Sequence, residues 1–179
     1  MFTKENIEQY FSAFKNEQIF LMVLGAVALI VALVFFIKLK TQWFKGFALP
    51  LAVFAIINLG AGFSNYKKTD ILKVRNTYNY DLHPELLRTK ELPRIIEMNQ
   101  NFTVLIYINI SILIAAAFIF FYFKKKEGNE YYMGVASSLF IIAVLSVAIY
   151  SVMKSRSKEY ERGIIDYTKN IIIKQSLNL

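Results

Sequence analysis

Four long stretches of this chain are almost free of charge: residues 19–37, 43–63, 102–123 and 131–153. None contains Asp, Glu, Arg or His, and Lys45 is the single Lys among them. A helix of about twenty residues is roughly 30 Å long, the hydrocarbon thickness of a bilayer. One such block fits the buried helix of a soluble domain. Four in a chain of 179 residues do not. The sequence therefore predicts an all-α, polytopic membrane protein. Its four transmembrane helices form two hairpins, 19–63 and 102–153, separated by a polar central insert at 64–101.

The net charge of +8 invites a nucleic-acid reading, but the lysines sit at the ends of the apolar blocks. There they meet anionic lipid headgroups. The aromatic residues interleaved with them mark membrane boundaries. The polyanion this chain meets is the bilayer, and nucleic acid is not expected. The absence of Cys removes disulfides, thiolate metal sites and Cys nucleophiles. A single His leaves no His-based metal site within one chain. No cofactor is expected.

Residues 1–18 hold three Glu against two Lys, which does not suit a signal peptide. Ile7, Tyr10, Phe11 and Phe14 recur at helical spacing and predict an amphipathic helix lying on the membrane surface. Small residues four apart predict close helix approach at Ala28 with Ala32, Ser111 with Ala115, and Gly134 with Ser138. A second span starting only at Pro50 leaves about fourteen residues, roughly 21 Å, too short to cross. Its helix is expected to begin near Trp43 and to bend mildly at Pro50. Among the polar side chains inside spans, Asn58, Asn109 and Ser111 are expected to make interhelical contacts, worth about 1 kcal/mol at Asn58.

In the insert, Ile71, Leu72 and Val74 continue the second helix by a turn or two. Residues 76–81 show no clear period and read as loop. His83-Pro84-Glu85 reads as a helix start, because Pro suits the first helical position and an acid the first turn. A short helix is expected over 84–90, and a second from Pro93 running unbroken into the third span. Beyond the fourth span, Met153, Ser157, Tyr160, Ile164, Tyr167 and Ile171 alternate steps of four and three. They predict an amphipathic helical tail over 154–179 with one packing seam.

Four crossings put both termini and the insert on one side and the two short turns on the other. The turns carry six Lys and two acidic residues in few positions; the opposite side spreads fifteen Lys and Arg over longer segments. By raw count of Lys and Arg the insert lies inside; by density of positive charge the turns lie in the cytoplasm and the insert outside, which is the orientation expected.

The spans hold no ionisable residue at depth, where transporters and proton-coupled machines usually place them. No Gly-rich phosphate loop, zinc motif or Ser/His/Asp arrangement is present. The insert carboxylates Asp70, Asp81, Glu85, Glu91 and Glu97 lie among Lys and Arg and read as a solvated surface. The expectation is a non-enzymatic membrane protein that binds a protein partner through its insert, with Tyr78, Tyr80, His83, Glu85, Arg88, Glu91 and Arg94 as contact residues. An immunity protein against a toxin acting at the membrane or envelope fits this plan. So does an accessory subunit of a membrane complex. The Lys-, Asn- and Ile-heavy composition suits a bacterial inner membrane. The alternative is a homo-oligomeric pore with a hydrophobic constriction, in which Asn58, Asn109 and Ser111 line the path.

Overall fold

A computed structural model describes residues 2–39, 41–124 and 128–177, with side chains up to Asn170. Lys40, Lys125, Lys126 and Glu127 of the turns, and the Ile171 side chain of the seam, lie outside the described residues. Helix α1 spans Lys4–Ile37 and α2 spans Gln42–Leu82. A single turn, α3, covers Pro84–Leu86, and a π-helical turn follows at Leu87–Glu91. Helix α4 spans Leu92–Lys124 and α5 spans Glu130–Leu177. The described residues contain no strand, and four helical runs are long and apolar enough to cross a bilayer.

The helix ends follow local chemistry. The Thr3 hydroxyl accepts from the Asn6 backbone N–H, and the Asn6 side chain accepts from the Thr3 backbone N–H at 2.8 Å. This reciprocal cap satisfies two donors that the first turn leaves open. Pro50 lies inside α2, which begins at Gln42, as the span-length argument requires. Pro84 opens α3.

Two expectations change. Residues 76–81 are helical, because α2 runs without a break to Leu82. Residues 4–18 are not a separate surface helix but the first part of α1. Their apolar face is covered by protein: Ile7 and Phe11 are buried with Leu87, Ile95, Tyr160 and Ile164. The insert, expected to be partly helical with a loop at 76–81, is therefore two helical extensions joined by a tight corner. The tail seam is buried as predicted at Met153, Ser157, Tyr160 and Ile164, and it packs back on these extensions.

Helices α1 and α2 run antiparallel in a regular register. Lys4 pairs with Asp81 at 2.6 Å and Lys15 with Asp70 at 2.7 Å. The two pairs are eleven residues apart on both helices, which is about three turns, so the contacts recur on one face. At the other end α2 meets α5. A Cβ on Gly46 would overlap the Tyr131 carbonyl, and one on Gly134 would overlap the Trp43 carbonyl. Ala28, Ala32, Gly134 and Ser138 are buried as their spacing predicts. Ser111 and Ala115 are not; both are exposed, and Ala116 takes the buried position. One residue further on is about 100° round the helix, which rotates the small pair off the packed side.

In the apolar zone large side chains such as Phe20, Ile30 and Phe118 point outward. A second buried cluster, Leu21, Phe102 and Met153, marks the level where the apolar blocks give way to a polar head.

Candidate functional site

The head is built by α1, α2, α5 and the corner that feeds α4. The corner owes its shape to Pro93. A proline inside a regular helix lacks an N–H and clashes with the carbonyl four residues back, here Thr89. The π-helical turn over Leu87–Glu91 widens the helix just before it, so the Leu92 N–H bonds to the Leu87 carbonyl. This turn carries Leu87 and Glu91 into the interior.

Glu91 accepts hydrogen bonds from Arg94 Nε at 2.9 Å and Arg94 Nη2 at 2.6 Å. The Arg75 guanidinium lies 3.7 Å away. Burial works to lower the Arg94 pKa, but the Glu91 hydrogen bond and charge more than offset it, so Arg94 is held above its ordinary value. Tyr160 stacks on Tyr10 with ring centroids 4.0 Å apart and meets Phe11 edge-on at 5.8 Å. Burial pushes both phenols well above the ordinary tyrosine pKa, and the Glu91 charge adds to this at Tyr160. Asn99 donates to Glu161 across to α5. The Asn76 amide is buried without a direct hydrogen-bond partner among the described residues.

The seven residues expected to face a partner divide. Tyr78, His83, Glu85 and Arg88 are exposed, and His83 Nδ1 stands 3.3 Å from Glu85. Tyr80, Glu91 and Arg94 turn inward. Tyr80 stacks on Tyr167 with centroids 4.5 Å apart, and its hydroxyl donates to the Phe2 carbonyl at 3.3 Å. Glu91 and Arg94 form the interior pair. Their inward turn follows from α2 and the corner being helical: positions that a loop exposes are then divided between two faces.

The three side chains expected to make interhelical contacts bond locally instead. Asn58 donates to the Phe54 carbonyl at 2.8 Å, Asn109 to the Leu105 carbonyl at 2.8 Å, and Ser111 to the Tyr107 carbonyl at 3.0 Å. A short polar side chain reaches the carbonyl four residues back, so it needs no partner on another helix. The interhelical hydrogen bonds expected of them are replaced by these.

One feature of the head was missed by sequence reasoning. Ile71, Val74, Tyr78 and Leu82 are 70%, 71%, 55% and 58% exposed. Their spacing of three, four and four puts them on one face of α2. Ile71 begins eight residues beyond the second apolar block, so about 12 Å further along the helix. Lys67, Lys68 and Arg75 flank this stripe and are exposed, whereas Asp70 and Asp81 are paired with α1 lysines. The stripe's period was present in the sequence, but reading 76–81 as loop broke it in the middle.

Comparisons with protein-family models, with curated proteins and with solved structures find no match.

Proposed function

We propose that this chain is a non-enzymatic integral membrane protein of a bacterial inner membrane that binds a protein partner through its polar head. Four helices cross the bilayer as two hairpins, with the short turns in the cytoplasm and the head outside. The bound protein is a toxin that the chain neutralises as an immunity protein, or a membrane complex that it joins as an accessory subunit. Both roles need a rigid surface rather than a reacting group.

The observation that carries this reading is the stripe Ile71, Val74, Tyr78 and Leu82. Large apolar side chains aligned on a helix outside the hydrocarbon layer lose free energy to water until something covers them. The rim of Lys67, Lys68 and Arg75 is basic, so the matching surface is apolar with an acidic border. Tyr78 at the centre has the amphipathic character favoured at interface hot spots. The exposed residues His83, Glu85 and Arg88 continue the same surface around the corner.

The test is purification from native membranes in mild detergent, comparing the wild type with Val74→Glu and Tyr78→Ala. The same co-purifying protein should be retained by the wild type and lost from both variants, with helix content and melting unchanged. A partner retained equally by both variants overturns the assignment of the stripe.

A further inference from the structure

A cleft runs along the bundle from the head into the apolar zone. Helix α2 packs along α1 and α5, and α4 packs along α5, but α2 and α4 do not pack along one another. The space between them has a volume of about 520 Å³. Along α2 it extends from Ile57 to Arg75, about 27 Å. Its lips on α2, including Ile57, Ala61, Lys68 and Ile71, are exposed, so it opens sideways.

The two ends of the cleft differ in chemistry. The lower part is walled by Leu21, Ile57, Ala61, Phe102, Leu105 and Met153, all at the depth of the apolar blocks. The charged residues that line the cleft are Lys68, Arg75 and Arg94, all cations and all on the head side. Glu91 neutralises Arg94 from behind, and Arg75 and Lys68 leave the mouth positive. Between the two ends sits Gln18, wholly buried, whose amide nitrogen has no hydrogen-bond partner among the described residues. A buried donor left open is costly unless a ligand or water fills it.

We infer that this cleft holds one anionic phospholipid. One acyl chain lies in the lower part, and the anionic headgroup meets Lys68 and Arg75, with the Gln18 amide as a neutral donor. The second chain stays in the bilayer through the open side. This inference rests on the membrane-spanning reading of the four helices; the cleft shares Ile71, Lys68 and Arg75 with the partner surface, and its test reads lipid binding alone.

The test uses the full chain purified in neutral detergent, with native mass spectrometry and thermal melting as readouts. Phosphatidylglycerol, phosphatidylcholine and inorganic phosphate are the probes. One equivalent of phosphatidylglycerol should be retained and should raise the melting temperature. Phosphatidylcholine should bind about tenfold more weakly, and free phosphate should leave melting unchanged. Ala61→Trp, which blocks the open side of the lower part, and the Lys68→Gln/Arg75→Gln double variant should each weaken phosphatidylglycerol binding about tenfold or more. Equal retention of the two lipids, a response to free phosphate alone, or full binding by both variants overturns the inference. The wild-type lipid comparison decides the matter even where a variant fails to fold. Carbonate extraction of membranes separates the two levels of failure. A chain released by carbonate refutes membrane insertion and the cleft together, whereas a retained chain that binds both lipids alike refutes the cleft alone.

Discussion

The Glu91 carboxylate, 1% exposed, is held by two hydrogen bonds from Arg94, three residues further along the chain. Glu91 is buried and Arg94 half-buried, on either side of the residue where the π-helical turn hands over to α4. Removing Arg94 leaves the buried Glu91 carboxylate with only the longer contact to Arg75 at 3.7 Å, which costs more than the pair contributes.

Arg94→Leu is therefore expected to destabilise the protein by about 3 kcal/mol. Glu91→Leu/Arg94→Leu should recover most of that loss, because the one charge left without its partner, Arg75, is half-exposed to water. Melting of the two single variants and the double variant in detergent closes the cycle. A double variant as unstable as the sum of the singles would contradict this account.

Glu17 supplies a pH dependence. Burial raises its pKa above the ordinary 4.5, and the Arg156 ion pair at 2.7 Å only partly opposes this. The fold thus prefers the protonated form. Its contribution is complete below pH 4.5 and is lost as pH rises through the raised value. Glu17→Gln, which copies the protonated form, should melt above the wild type near about pH 7, with the two curves converging in acid. A variant that melts lower at neutral pH would show that the ion pair outweighs burial.

Two glycines in the apolar blocks should respond oppositely. Gly134→Ala forces a methyl group onto the Trp43 carbonyl, and backbone cannot swing aside. We expect a loss of about 2 kcal/mol or more, read from melting or expression. Gly60 has open space around it, so Gly60→Ala should gain up to about 1 kcal/mol from helix propensity.

The end of α5 is tied down by rings. Tyr167 stacks on Tyr80 and donates its hydroxyl to the Tyr80 carbonyl at 3.1 Å, while Phe2 packs against Gly163. Tyr167→Ala should expose the region around Arg162 and Lys169 to trypsin without lowering the main melting transition. Unchanged digestion would mean that the seam at Tyr160 and Ile164 suffices.

Much of the fold was legible because charge and apolarity are coarse signals. Pro50 within a helix, Pro84 at a helix start and the unbroken run into the third apolar block were all read from local steric rules. The head was harder. Its α2 interior includes Thr69, Asn76 and Asn79, all buried. Residues of this kind count as loop signals when only apolar periodicity is followed. With them misread, the stripe from Ile71 to Leu82 lost its continuity. Glu91 and Arg94 looked like solvated charges because nothing local distinguishes a carboxylate facing water from one facing an arginine in the interior.

The amino-acid order by itself determined four apolar helices, their approximate limits and the absence of thiol chemistry, since each follows from residue type and short-range geometry. Which faces of those helices turn inward was decided only by tertiary packing. Burial is a property shared between helices distant in the chain: Phe2 and Tyr10 find Tyr160, Lys4 finds Asp81, and the gap between α2 and α4 exists only because their neighbours hold them apart.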